Sequence, residues 1–187
     1  MTNQEQPLVI PPQVPMRFPY PLALALLLLS LPACTSDKDE AETSSTDTTT
    51  IPFDKEGRLA VIQDGDTLIV LDLEIAETDS ARERGMMERE GFPNETSGML
   101  FPFDEERDRN FWMANTPSAL DIFFVDADSQ IVNIAKYAKP VSSDQIPSNG
   151  LAKYVLETPA GFADSYGILE GDRLRWIRID ANEKDRS

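Results

Sequence analysis

Histidine is absent from the 187 residues. That excludes Ser-His-Asp and Cys-His triads, imidazole acid/base chemistry and His-ligated metals. A single cysteine, Cys34, excludes an internal disulfide, a Cys-rich zinc site and an iron–sulfur cluster. Positive charge is scarce: 17 Lys+Arg stand against 33 Asp+Glu, a formal net charge of -16. Phosphate binding needs clustered cations, so nucleic acid is not an expected partner. Glycine (9) and proline (14) are too few for a collagen-like or wholly disordered chain. Neither G-x-G-x-x-G nor G-x-x-x-x-G-K-[ST] occurs, so a dinucleotide or P-loop site has no support. What is present, 41% hydrophobic and 27% charged residues, is enough for one packed domain plus some extra chain.

The extra chain lies at the N-terminus. Residues 1–21 are polar and proline-rich, with Arg17 their one cation. An apolar run, Leu22 to Leu31, follows. It is half the ~20 residues of a membrane span but fits the core of a signal peptide. The run ends in Leu31-Pro32-Ala33-Cys34, which resembles a bacterial lipobox. That resemblance implies a signal peptide over residues 1–33, cleavage before Cys34 and lipidation of Cys34, so that the protein meets a membrane through its lipid. Several acyl chains on one cysteine exceed the single chain that binds only marginally. By resemblance to enterobacterial sorting signals, Thr35 rather than an aspartate after the cysteine implies the outer membrane of a bacterial envelope.

Residues 34–56 are expected to be the lipidated cysteine and a disordered acidic Ser/Thr stalk. The stretch TSDKDEAETSSTDTTT has almost nothing apolar to offset the entropy of ordering it. With two lysines against seven acids the stalk carries -5, and the leader balances. The rest of the chain keeps 14 Lys+Arg against 25 Asp+Glu, or -11. That charge holds the domain off an anionic surface, and it equally suits a salt-rich habitat.

Residues 57–180 read as a single β domain, followed by a polar tail over 181–187. Leu59–Ile62 and Leu68–Ile75 are β-rich runs flanking Asp64-Gly65, a strong hairpin pair. Asp72 and Glu74 alternate with Leu71, Leu73 and Ile75, which predicts one wet strand face. Thr78 or Asp79 caps a short helix over Ser80–Met87, broken near Gly85. Further strands are expected at Gly98–Phe101, stopped by Pro102, and at Phe111–Ala114, Leu120–Val125, Gln130–Ala135, Lys153–Glu157 and Arg173–Ile179. Asp104–Asn110 reads as a charged loop, and Thr158-Pro159 as the start of a second helix ended by Gly167. About eight short strands with one or two short helices predict a mainly β, barrel- or jelly-roll-like domain.

The ordered motifs Arg84-Gly85-Met86-Met87-x-Arg89, Gly98-Met99-Leu100-Phe101-x-Phe103, Phe111-Trp112-Met113-x-Asn115-Thr116 and Leu120-Asp121-Ile122-x-Phe124 continue into Tyr154-Val155-Leu156-Glu157, Gly161 and Gly171-Asp172. Together they resemble the bacterial and archaeal domain of unknown function family 192, over about residues 58–180. The resemblance implies a compact, mostly β fold and no established activity. This chain departs in having Met86 for a common Leu, Pro102 for a β-branched residue and Ala114 for Lys. The last removes a cation that an anion site would use.

No cofactor, metal or catalytic residue is assigned from the residues. Met86, Met87, Met99 and Met113 crowd beside Trp112. Thioethers and an indole face suit copper(I), whereas the same side chains fill irregular core gaps. The loop acids lack the spacing of a calcium hand. Arg84, Arg89, Asn115, Asp121 and Glu157 sit in or beside apolar strands, where an unpaired charge costs several kcal/mol. They are expected either to pair, Arg89 with Asp121 or Glu157, or to line a ligand cleft with Trp112 as a stacking wall. The domain thus reads as a non-catalytic binding or accessory module for a small ligand or an envelope protein. The alternative is a carboxylate-dependent enzyme on an envelope saccharide or peptide. Two carboxyls in a cleft beside Trp112, one with a raised pKa, would favour the enzyme.

Overall fold

A computed structural model describes residues 51–180; the segment read as a signal peptide, Cys34, the expected stalk up to residue 50 and the tail 181–187 lie outside the described residues. Strands β1 (Gly57–Gln63) and β2 (Asp66–Ile75) form the expected hairpin. Its turn residues Asp64 and Gly65 have φ of 53° and 95°, the left-handed pair that a tight two-residue turn demands. Helix α1 (Asp79–Arg84) is capped by Thr78, whose Oγ1 accepts from the Ala81 amide at 3.1 Å. Strand β3 (Ser97–Arg107) then returns parallel to β2, with α1 in the crossover. After β4 (Asn110–Phe111) come β5 (Leu120–Val125), β6 (Ile131–Ala138), β7 (Ile146–Pro147) and β8 (Ala152–Pro159). Helix α2 (Phe162–Tyr166) and β9 (Arg173–Arg178) complete the fold.

Seven strands form one sheet in the order β6-β5-β8-β3-β2-β1-β9, and β4 pairs with β7 in a small second sheet. The domain is mainly β, but the large sheet does not close into a barrel. Its edges meet at one bridge, Gln130 with Arg173, buttressed by the Ile131 amide on the Asp172 carbonyl at 2.8 Å. A barrel needs strand pairing along its whole seam.

The central strands are buried on both faces, which is why Leu120–Val125 reads as an almost unbroken apolar run. Alternation sorts their side chains into two cores. Leu100, Phe123 and Leu156 face Leu59, Leu71, Leu73 and α2. Met99, Phe101, Ile122, Phe124 and Val155 face Met86, Met113 and the β4 region.

Four local expectations are overturned. Pro102 does not stop β3. It sits opposite Tyr154 in extended backbone, and the ladder loses register between Pro102 and Arg107, where a donor is missing. The charged segment from Asp104 is therefore mostly strand. Phe111–Ala114 is not a strand beyond Phe111, because the Met113 amide donates to Ser142 and the Thr116 amide turns back to Met113. Thr158-Pro159 does not open a helix: Pro159 ends β8 opposite Leu120, and α2 is entered through Gly161 at φ 86°.

Residues 51–56, assigned to the stalk, lie on the domain. The Glu56 amide donates to Leu73, its carbonyl accepts from Ile179, and its carboxylate accepts from the Ile75 amide at 2.9 Å. Phe53 meets Phe92 edge-on at 6.3 Å. The strand face read as wet is open at Leu68 and Val70 and half-open at Asp72, and closes only at Glu74, which is buried.

Candidate functional site

A half-open cavity of about 330 Å³ lies between α1, the second core and β4. The helix reaches it as Arg82, Glu83 and Arg84, and the turn that follows adds Gly85, Met86 and Met87. Gly85 ends α1 at φ 47°, and a Cβ there would meet the Phe101 ring at 3.3 Å, so the turn can lie directly on the sheet. Phe101, Phe103 and Phe111 give the walls. Phe111 meets Phe101 edge-on at 5.3 Å and Phe124 at 5.9 Å, which fixes the ring at the back. Trp112, 47% exposed, stands at the mouth.

The polar groups lie in two tiers. Glu157 is the floor. It follows Val155 on the same face of β8, so its carboxyl enters the apolar second core. Its cross-strand neighbours are Met99 on β3 and Ile122 on β5. It is 5% exposed, and its Oε2 has no hydrogen-bond partner. Burial pushes the carboxyl up to about 8, so it is neutral at pH 7. Thr116 lines the cavity as well.

At the rim Arg82 is committed: it donates to the carbonyls of Glu77 and Pro102 and pairs with Asp79 at 2.7 Å. It also lies 5.2 Å from the Phe103 ring centroid. The Arg84 guanidinium is exposed and makes no hydrogen bond or ion pair with a described residue.

Of the sequence-derived candidates, Arg84, Trp112 and Glu157 share this cavity; Arg89, Asn115 and Asp121 do not line it. Arg89 is 6% exposed and pairs with neither Asp121 nor Glu157. It forks onto Glu74, with Nη1 to Oε2 and Nη2 to Oε1 both at 2.7 Å. Asp121 accepts from the Tyr137 amide at 2.8 Å and the Ala163 amide at 2.9 Å, which ties β6 and the start of α2 to β5. Asn115 holds a left-handed turn at φ 54°, which its short polar side chain tolerates, and its carbonyl accepts from the Glu88 amide. Trp112 itself is not a core residue, because the strand that would have carried it inward ends at Phe111.

Met86, Met99 and Met113 are buried as core filling, and only Met87 is half-exposed at the cavity. Arg109, read as part of a solvated loop, is buried. Its Nε donates to Ala152 at 2.7 Å, and its guanidinium lies 3.4 Å from the Phe103 ring centroid. Burial, then the nearby Arg107 and Arg82, bring it down to about 10, so it stays charged at neutral pH. Glu74 and Arg109 were not singled out, since each lies in a charged stretch that reads as a solvated face.

The family model DUF192, uncharacterized ACR, matches residues 60–176. This chain belongs to that family. A UPF0127 protein of Thermococcus sibiricus is 30% identical over 106 residues, covering 56% of this chain and 65% of the relative. The chain therefore spans just under two thirds of that relative's length. Two solved structures are similar to the DUF192 domain. One, described as a "putative transcription regulator" from Sinorhizobium meliloti, is 38% identical with a TM-score of 0.62, covering 67% of this chain and 96% of that one. The other, a protein of unknown function from Novosphingobium aromaticivorans, is 33% identical with a TM-score of 0.60, covering 64% and 84%.

Proposed function

We propose that this chain is an envelope protein, anchored through lipid on Cys34, whose DUF192 domain is a non-catalytic binding module. The ligand site is the cavity between Trp112 and Glu157. One observation carries the reading: a carboxyl buried in an apolar pocket, with Oε2 unpartnered, faces a space open to solvent. A buried polar group without a partner costs about 1–3 kcal/mol, a cost that a ligand hydrogen-bonded to it removes. The cavity also has the composition of a small-molecule site, apolar and aromatic walls with few polar groups. The -11 charge argues against duplex DNA as the partner. Amide shifts in labelled protein titrated with an aromatic fragment library test the site. Shifts centred on Phe103, Trp112 and Thr116 support it, and shifts scattered over the surface sink it. For the anchor, Cys34→Ser should move the protein to the soluble envelope fraction and end palmitate incorporation. A wild type that takes up no lipid label would refute that half.

One observation favours the enzyme reading. Glu83 lines the same cavity as Glu157, and the two carboxyls differ in environment, one at the exposed rim and one buried. An acid held neutral beside a second carboxylate is the pair that glycoside hydrolysis uses. Release of product from envelope saccharides by the wild type, lost in both Glu83→Gln and Glu157→Gln, would establish it.

A further inference from the structure

The chemistry of the cavity narrows the ligand. Its floor offers one proton and nothing else charged. The neighbours of Glu157 across the sheet are the apolar Met99 and Ile122, and the charged residues lining the cavity, Arg82, Glu83 and Arg84, all belong to α1 at the rim. The β4 side contributes the neutral Asn110, Phe111 and Trp112. The rim offers one uncommitted guanidinium, because Arg82 is spent on Asp79 and two carbonyls. Between floor and rim lie aromatic rings and methionines.

We infer that the cavity takes a small organic carboxylate with an apolar or aromatic body, whose anion meets Arg84 at the mouth while a neutral acceptor on the body accepts a hydrogen bond from the Glu157 carboxyl. This rests on the binding reading above. A guanidinium fork matches a carboxylate in shape as well as charge. The protein's overall negative charge does not oppose it strongly, since charges beyond about 8–10 Å are screened at physiological salt. The arrangement is self-consistent in one further respect. A neutral Glu157 attracts the ligand's acceptor, whereas an ionised one offers no proton and repels the ligand's anion. Binding is therefore linked to the proton on Glu157.

The test titrates the full-length chain by calorimetry with N-acetyl-L-phenylalanine and its uncharged carboxamide, at pH 6 and pH 9. The carboxylate should bind about fivefold tighter than the carboxamide, the size of one exposed ion pair. Arg84→Gln should remove that difference, by weakening the carboxylate more than the carboxamide. Both probes should weaken about tenfold at pH 9, the worth of one hydrogen bond, and Glu157→Gln, which keeps a donor, should abolish that loss. Equal binding of the two probes, or a difference that survives Arg84→Gln, overturns the anion site. Affinity that ignores pH overturns the role given to Glu157. If neither probe binds but indole or benzamide does, the carboxylate class fails while the binding reading stands. If none of the four binds, both fail.

Discussion

Arg89 and Glu74 form a two-pronged ion pair out of solvent, with both N–O distances at 2.7 Å. The pair ties the segment after α1 to β2, fifteen residues earlier in the chain. Glu74 also accepts from the Asp54 amide at 3.2 Å, so one carboxylate holds three pieces of chain.

Removing one member of a buried pair strands the other. Arg89→Ala should cost about 3–5 kcal/mol in chemical melts, much of it from the uncompensated Glu74. Arg89→Lys should recover only part, because an ammonium cannot reproduce the fork. Wild-type stability in Arg89→Ala would show that the pair contributes nothing to the fold.

Trp112 behaves oppositely. At 47% exposure it leaves little cavity when truncated. Trp112→Ala should change stability by about 1 kcal/mol or less, against the 3–5 kcal/mol of a buried tryptophan. Fragment binding at the cavity should nevertheless be lost. A large drop in stability would return Trp112 to the core.

The strands β1, β2 and β5 and the Asp64-Gly65 turn were legible because local chemistry decides them. A run such as Leu120–Val125 has one sensible home, and Thr78 is a good cap wherever a helix follows. Pro102 and Phe111-Trp112-Met113 misled for the same reason in reverse. Proline's missing donor stops a strand only where the ladder needs it, and that depends on β8, some fifty residues away. The apolar run Phe111–Ala114 mimics a strand, while the backbone bond from Met113 to Ser142 that draws it out of a strand is invisible locally. Arg89 was correctly expected to need a partner. Its partner was not legible, because Glu74 alternates with apolar residues as a solvent-facing strand residue would. Trp112 and Glu157 were both singled out, yet their meeting depends on β8 pairing with β3, the strand that leads into β4, across some fifty residues of chain.

The boundary of the domain is open to a truncation test. A chain starting at Ile51 should unfold cooperatively, like the full-length protein. One starting at Gly57 loses the two backbone bonds of Glu56, its carboxylate on Ile75 and the Phe53–Phe92 contact. It should be about 1–3 kcal/mol less stable, at roughly 1 kcal/mol per hydrogen bond. Equal melting of the two truncated chains would restore residues 51–56 to the stalk.

Glu157 makes a signed prediction about pH. Its folded value of about 8 lies above its ordinary value of 4.5 because burial penalises the charge. Between these two values the folded chain keeps a proton that the unfolded chain has released. Stability must then fall as pH rises through that window, by at most about 1.4 kcal/mol per unit from this group. Below the window both states are protonated, and above it both are ionised, so the slope from Glu157 vanishes at either end. Glu157→Gln cannot ionise, and its stability curve should be flatter than wild type across the window and cross to greater relative stability at its alkaline end. Asp164, held low by its hydrogen bonds from Lys136 and Tyr137, gives stability that is lost as pH falls, but it is common to both proteins and cancels in the difference. The measurement is therefore the difference between the two urea-melt profiles from pH 4.5 to 9. A difference that grows with pH and levels off near 8 identifies a buried neutral carboxyl. Parallel curves would mean that Glu157 is ionised in the folded protein, and the floor of the cavity would then be an anion rather than a proton donor.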